Sequence, residues 1–302
     1  IQEVGAGSDS RLHDLEDQLN QMQHQMTSEH EHAEELKKAF EDAKVEVQAV
    51  HEHEKHLAED LDKEAKQRKK LHNQVEDMKG KIRVFARGRP MSASEKERGC
   101  SVSVDYLDVT TVATRDPEHR SDKTFTFDAV FPPEVGQAEV FEDCEQLLES
   151  VMDGYNVCVF AYGQTGSGKT WTMGGVPGNE GLTPRCVSTL FERLEEQSMT
   201  LTYQVSCYFV ELYNDGLVDL LQKVYYPKEK PKKLDIKLNK KKQVYVKNAE
   251  VRPAADANEM MTLFAKGNAA RHVGATKMNA ESSRSHSIFS ILVETTAKTT
   301  GK

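Results

Sequence analysis

A seven-residue repeat of apolar side chains runs through the first quarter of the chain without a break in register. Counted in alternate steps of three and four residues from Leu12 to Met78, sixteen of the twenty seam positions are apolar. The interval contains neither Pro nor Gly. A repeat of this period keeps one stripe of a helix against a partner helix, so it predicts a left-handed coiled coil. The alternative, a single surface helix of a globular domain, would follow a period of about 3.6 residues over about 8–20 residues.

Charged residues interrupt this seam and set the charge of the whole chain. Glu29, Glu54, Glu64 and Arg68 occupy seam positions, where they predict local weakening or a fixed register between partner helices.

The first eighty residues hold 11 Lys+Arg and 20 Asp+Glu, so the formal charge of −9 lies there and the remainder is balanced. Eight of the eleven histidines also lie there, and we interpret them as part of a solvated helix face rather than a metal or pH-sensing cluster. An acidic first quarter and a charge-balanced remainder argue against general binding of nucleic acid.

Glycines and changes in the residue pattern predict three segments. Residues 1–11 contain Gly5 and Gly7 and are expected to be flexible, and residues 12–79 form the coiled coil. Gly80 ends the repeat, and a strand-like pattern follows at once in residues 82–87, so residues 80–302 are predicted to form a globular part.

The five cysteines form no C-x-x-C pair, which argues against a zinc site and indicates a reducing compartment. No apolar run approaches the ~20 residues of a membrane span, and no signal-peptide core is present, so we expect an intracellular protein without a membrane segment.

The strongest chemical signal is a glycine-rich loop after an apolar run. Residues 157–162, Val-Cys-Val-Phe-Ala-Tyr, are predicted to form a buried strand. The loop that follows matches G-x-x-x-x-G-K-T and consists of Gly163, Gln164, Thr165, Gly166, Ser167, Gly168, Lys169 and Thr170. Its glycines allow backbone N–H groups to surround phosphates, Lys169 reaches the β- and γ-phosphates, and the Thr170 hydroxyl is a ligand of Mg²⁺. The loop by itself therefore predicts binding of a nucleoside triphosphate with Mg²⁺.

A second polar segment, Asn-Ala-Glu-Ser-Ser-Arg-Ser-His at residues 279–286, precedes an apolar strand pattern at residues 288–293. Three hydroxyls, a guanidinium and an imidazole are suited to sensing a γ-phosphate. By composition alone, the segment is equally a turn between a helix and a strand.

Together, GQTGSGKT and NAESSRSH resemble the kinesin motor domain. Arg-Gly-Arg-Pro at residues 87–90 resembles the adenine-site motif R-x-R-P of that family, with Gly88 where a branched apolar residue is usual. Residues 125–131, 137–141, 181–185 and 209–215 also resemble kinesin segments. The resemblance covers residues 81–302 and implies an α/β fold, a phosphate-loop NTPase core with a central, mostly parallel sheet flanked by helices.

The resemblance also implies residue roles. Arg87, Arg89 and Pro90 would flank the adenine, and Trp171 would stack on it, although a tryptophan that caps the core is the alternative. Asn279, Ser282, Ser283 and Arg284 correspond to the switch I loop, with Ser283 beside Mg²⁺ and the γ-phosphate. Arg284 would pair with a switch II glutamate that follows Lys302 in the family. An incomplete motor domain is therefore expected, which binds nucleotide but does not turn over ATP by itself.

A coiled coil before the motor resembles the kinesin-14 subfamily, whose members dimerise through this neck and move toward microtubule minus ends. Lys81 stands where that subfamily usually has Asn after Gly80. The implied function is a microtubule-stimulated ATPase motor in the cytoplasm, on the cytoskeleton and its spindle microtubules. The alternatives are a non-motile, nucleotide-binding microtubule tether or crosslinker and a coiled-coil ATPase that acts on nucleic acid. Whether the coil pairs with a second copy or with a different chain stays open.

A lysine-rich segment is the predicted contact with tubulin. Residues 223–247 contain ten lysines and two acidic residues and resemble a tubulin-contacting region of the family. Since the tubulin surface is acidic, Lys237, Lys240, Lys241 and Lys242 would be attracted to it. The alternative is a solvated hairpin with a lysine-rich tip.

Overall fold

The structure, a computed structural model, describes residues 2–79, 82–115, 123–239, 244–271 and 285–298. The chain divides into two units, Ile1–Met78 and Lys79–Lys302. The first unit is a single helix, α1, Gln2–Lys79. Among the described helices, none combines the length and the apolar character that crossing a bilayer requires.

The apolar seam of α1 is uncovered. From Leu15 to Val75, its large apolar side chains are between 46% and 72% exposed. Surface ion pairs spaced three or four residues apart, such as Lys66 with Asp62 at 2.6 Å, accompany them. Such exposed pairs contribute little to helix stability. The helix therefore retains an apolar face that no other described part of the chain buries.

Helix α1 already begins at Gln2, so residues 2–11 are helical where we expected a flexible segment. Gly5 and Gly7 each reduce helix propensity by about 1 kcal/mol relative to Ala. Extending an existing helix needs no new nucleus, which favours helix over coil at such positions.

The second unit is a mixture of short strands and helices. Its strands are β1 Phe85–Arg87, β2 Val104–Tyr106, β3 Thr111–Thr114, β4 Lys123–Thr126, β5 Ala129–Phe131, β6 Gly175–Val176, β7 Asn179–Glu180, β8 Leu201–Tyr213, β9 Gly216–Asp219, β10 Asp235–Leu238, β11 Val244–Lys247, β12 Arg252–Ala254 and β13 Ser285–Ala297. Its helices are α2 Ala93–Glu97, α3 Gln137–Met152, α4 Lys169–Gly174, α5 Leu182–Glu196, α6 Leu220–Tyr225 and α7 Ala257–Ala269.

The largest sheet has the order β12-β8-β13, with β9 also paired to β8. All of its pairs are antiparallel, and Ser285–Ala297 matches Leu201–Tyr213 residue for residue. Strands β2, β3 and β4 form a second antiparallel sheet, and β10 with β11 and β6 with β7 form hairpins. Among the described strands, the parallel pair is β1 with β5. We expected a central, mostly parallel sheet, and the described pairings differ from that expectation.

The predicted buried strand at residues 157–162 is a further difference, and that prediction is wrong. These residues form no strand, and Phe160 and Tyr162 are 78% and 95% exposed. A strand obtains its backbone hydrogen bonds only from neighbouring strands. Within the described residues no strand pairs with this run, so its strand-favouring composition alone does not produce one.

The main core lies between the large sheet and helices α5, α6 and α7. Phe209 of β8 stacks on Phe264 of α7 with ring centroids 5.5 Å apart, and Phe289 of β13 meets its edge at 5.2 Å. A Cβ at Gly267 would lie 2.3 Å from the Phe209 ring, so the close approach of α7 to β8 requires a glycine there. A smaller core forms where α3 and the start of α5 pack on β5.

Candidate nucleotide site

The glycine-rich loop lies between residues 157–162 and helix α4. Gly166 and Gly168 have φ angles of 81° and 95°, which residues with a side chain adopt at a cost. The Ser167 N–H donates to the Gln164 carbonyl at 3.2 Å and closes a turn at the loop tip. Residues 162–166 are exposed, so the backbone of this turn faces solvent. The loop is thus curved and open, as a phosphate-binding backbone must be.

The side chain of Lys169 turns back toward the glycine-rich loop. Its Nζ donates to the carbonyl oxygens of Gly163 at 2.7 Å and Gln164 at 2.8 Å. An ammonium group has three donors, so this position leaves a donor for an anion. These contacts place the positive charge of Lys169 against the loop backbone.

The next two residues of α4 are accessible. Thr170 is exposed, and its hydroxyl makes no hydrogen bond within the described part of the chain. Trp171 is 42% exposed, so it does not cap the core. Helix α4 has only six residues, so its dipole adds little to anion binding.

Arg87 connects three elements behind the loop. Its guanidinium donates to Gln137 Oε1 at 2.7 Å and to Thr172 Oγ1 at 3.1 Å. Gln137 in turn donates to the Trp171 carbonyl at 2.7 Å. Burial lowers the pKa of Arg87. Its described partners make Arg87 a link between β1, α3 and α4, and its expected place beside a base stays a prediction.

Arg89 lies on the loop itself. Its Cδ is 3.8 Å from the point that a Cβ on Gly168 would occupy. Glu95 holds it from the other side with two hydrogen bonds, at 2.6 and 3.0 Å. These bonds, followed by those from Ser92, lower the pKa of Glu95 to about 2. Pro90 follows on the exposed surface, and its carbonyl accepts a further bond from Arg89 at 2.9 Å.

Gly88, the residue between the two arginines, faces the opposite way. A Cβ there would lie 1.8 Å from the Tyr106 hydroxyl and 3.2 Å from Pro133. The tyrosine of β2 therefore occupies the space of the side chain that Gly88 lacks. A side chain at position 88 would require the Tyr106 ring to move, so glycine fits this arrangement.

The family of this chain follows from its similarity to known proteins. A family model of the kinesin motor domain matches residues 87–302. The chain belongs to the kinesin family. It is 43% identical over 231 residues to kinesin-like protein KIN-14E of Arabidopsis thaliana and 44% over 232 residues to kinesin-like protein KIN-14I of Oryza sativa subsp. japonica. These alignments cover 75% and 76% of this chain but only 18% of either relative.

Solved kinesin structures have the same fold. A fast kinesin aligns with a TM-score of 0.65 at 34% identity, over 73% of this chain and 62% of that one. A KIF14 dimer with AMP-PNP on a microtubule aligns with a TM-score of 0.65 at 30% identity, over 71% and 61%. The prediction of a kinesin-type α/β fold is thereby confirmed.

Several predicted kinesin site residues lie outside the described residues. They are Asn279, Ser282, Ser283 and Arg284 of switch I, together with Lys240, Lys241 and Lys242. Lys237 is described, and it is exposed in the hairpin of β10 and β11, opposite Tyr245. Their roles stay predictions.

Sequence reasoning missed the residues that support this kinesin site. Ser92 and Glu95 form a capping box at the start of α2, and the pattern S-x-x-E was legible in the sequence. Gln137 is 2% exposed at the first turn of α3, and Tyr106 fills the space beside Gly88. No local pattern marks these two residues, because their roles depend on which strand lies beside which.

Proposed function

We propose that this chain is the neck and motor region of a microtubule motor that binds and hydrolyses ATP. The observation that carries the proposal is Lys169, held over an open glycine-rich loop in a chain that matches the kinesin motor domain. A tether that binds nucleotide without cycling would be free to lose this lysine.

The described residues suit a magnesium nucleotide. Among them, no group of three or more His, Cys, Asp or Glu side chains could hold a metal by itself. Mg²⁺ fits such a site, because it keeps several waters and takes its other ligands from phosphates and one or two protein groups. The free hydroxyl of Thr170 would be that protein ligand, and Ser283 a second one. Bound Mg²⁺ would neutralise charge on the β- and γ-phosphates.

The residues of the chain would divide the work of binding. The loop N–H groups and Lys169 would hold the phosphates, and the half-exposed Trp171 ring would lie against the base. Arg89 would keep the loop and the strand that carries R-x-R-P together. Ser282, Ser283, Arg284 and Asn279 would sense the γ-phosphate, and its loss would release them.

The exposed seam of α1 supports dimerisation. We propose that residues 12–79 pair with a second helix and form the neck that transmits the conformational cycle. We propose movement toward microtubule minus ends, which the resemblance to the kinesin-14 subfamily implies. The expectation that residues 1–302 alone do not turn over ATP stays a prediction, which steady-state phosphate release would test.

The hairpin of β10 and β11 would bind tubulin through its lysines. The KIF14 neighbour is bound to a microtubule, and exposed Lys237 would face the acidic surface of tubulin. Such binding weakens with salt, because exposed charges are screened.

Nucleotide binding tests the core of the proposal. Trp171 is the only tryptophan of the chain, so its fluorescence reports on ADP with Mg²⁺. Lys169→Ala is expected to weaken ADP binding at least about a hundredfold, since it removes charge-assisted contacts to phosphate. A wild-type protein that binds neither ADP nor AMP-PNP would refute the proposal.

Lys298 provides the matched control. Its Nζ also donates to a backbone carbonyl, that of Ser198 at 2.6 Å, but outside the loop. Lys298→Ala is expected to leave ADP affinity unchanged, and equal losses in the two variants would attribute the effect to general destabilisation. A gliding assay with polarity-marked microtubules would then separate motor from tether and give the direction.

A further inference from the structure

The hairpin of β10 and β11 has two chemically different faces. Side chains alternate between the faces of a strand, so residues opposite each other in the ladder share a face. One face is polar and carries both lysines of the two strands, Lys237 and Lys247. The other face consists of four apolar side chains: Ile236, Leu238, Val244 and Val246. The orientation of the hairpin therefore decides which of these chemistries it presents to a partner.

The hairpin cannot fix this orientation by itself. Among the described strands, β10 and β11 pair only with each other. Ile236, Leu238 and Val244 are 65% to 67% exposed, so the apolar face packs on little of the described chain. A two-stranded hairpin without such packing is only marginally stable. Its position must therefore be set by the segments that lead into and out of it.

Gln222 of α6 holds the segment that leads into β10. It is 4% exposed. Its Oε1 accepts from the Lys232 N–H at 3.1 Å, and its Nε2 donates to the Lys230 carbonyl at 3.4 Å. Both ends of this buried amide are thus used on the same short segment. Leu234, which directly precedes β10, is buried as well.

Asp219 holds the segment that leaves β11. It is 5% exposed and divides its two oxygens between two tasks. One oxygen accepts from the Gln222 N–H at 2.9 Å and caps α6, and the other accepts from the Glu250 N–H at 2.6 Å. Asn248 joins the two segments to each other, since its side chain donates to the Lys233 carbonyl at 2.8 Å. The first turn of α6 therefore holds both ends of the hairpin.

We propose that Asp219 and Gln222 are positioning residues that fix the orientation of the hairpin for microtubule binding. Their contacts direct the face with Lys237 and Lys247 toward the acidic surface of tubulin. Both are buried and touch no partner themselves. A hairpin that is fixed before it binds loses less conformational freedom on binding. This inference rests on the proposed function, because it assumes that the hairpin binds tubulin.

A double-mutant cycle tests the positioning role. Gln222→Met keeps the length of the side chain and removes both of its hydrogen bonds. We expect the affinity for microtubules, measured by co-sedimentation at low salt, to fall about three- to tenfold. In a chain that also carries Lys237→Ala and Lys247→Ala, the same substitution should change the affinity less than about twofold. A merely structural loss would be equal in the two backgrounds, because independent effects add.

Asp219→Asn tests the other end of the hairpin. Asparagine is as good an N-cap as aspartate, but its amide has one oxygen where the carboxylate uses two, so one of the two contacts is lost. It should weaken microtubule binding in the same direction as Gln222→Met. In both variants the amides of β10 and β11 should exchange hydrogen faster, whereas those of β8 keep their protection. Faster exchange throughout β8 would indicate general unfolding and would contradict the proposal.

Arg193 provides the matched control. It is partly buried and joins α3 to α5 through Glu145 and Glu149, away from the hairpin elements. Arg193→Gln should lower stability and leave microtubule affinity unchanged. Folded Gln222→Met and Asp219→Asn proteins that bind as the wild type does, or that lose equal affinity with and without the two lysines, would overturn the positioning role.

The two lysines separate this failure from a failure of the proposed function. Lys237→Ala with Lys247→Ala should by itself weaken microtubule binding, because it removes positive charge from the polar face. If that variant binds microtubules as tightly as the wild type, the tubulin contact of the hairpin is refuted, and the positioning role with it.

Discussion

The two units use the same residue types in opposite ways. In α1, leucine, valine and methionine of the seam are 46% to 72% exposed, whereas in the second unit Val187, Leu194 and Met260 are completely buried. The second unit supplies its own apolar partners from sheet and helix. The seam of α1 stays exposed within the described part of the chain. The comparison teaches that an apolar pattern specifies a surface, and that the rest of the structure decides whether the surface is a core or an interface.

The first prediction concerns the unit that provides its own core. Phe209→Ala removes a ring that contacts Phe264 and Phe289 at once. It is expected to reduce the free energy of unfolding of the second unit by about 3–5 kcal/mol. Thermal unfolding followed by near-ultraviolet circular dichroism measures this loss, and the result should not depend on protein concentration. A loss below about 1 kcal/mol would mean that the core does not depend on this cluster.

The second prediction concerns the unit that lacks a core. Val47 lies on the seam and Val45 outside it, although both are 69% exposed in the single chain. Val47→Ser should destabilise the helix by about 1.5–3 kcal/mol at concentrations where copies pair, and by very little on dilution. The readout is far-ultraviolet circular dichroism across a concentration series.

Val45→Ser is the control for this measurement, because it makes the same chemical change at the same exposure. It should have little effect at any concentration. Equal effects of the two substitutions would contradict pairing along the proposed seam.

The smallest expected effect concerns a surface ion pair of the second unit, whose contribution to stability should depend on pH. Arg89 holds the pKa of Glu95 at about 2, below its ordinary value of 4.5. Because the folded state has the lower pKa, the pair stabilises it fully above pH 4.5, and this contribution disappears as the pH falls toward 2. The difference in thermal midpoint between wild type and Glu95→Gln should narrow over that interval. A constant difference would show that Glu95 acts through its shape alone.

How much the sequence predicted depended on the range of the interactions. The loop at residues 163–170 was predictable, because φ angles, a lysine and a hydroxyl act within eight residues. The helical seam was predictable for the same reason, since a repeat is local. The lack of a strand at residues 157–162 was not predictable, because strand formation depends on neighbouring strands that composition does not reveal. The partners of Arg87 and Asp219 were likewise hidden, since each bridges segments distant in sequence.

The fit of Tyr106 against Gly88 has a consequence for the evolution of this chain. A relative with a larger residue at the position of Gly88 cannot tolerate a tyrosine in this orientation. A substitution at one site therefore changes which substitutions are acceptable at the other.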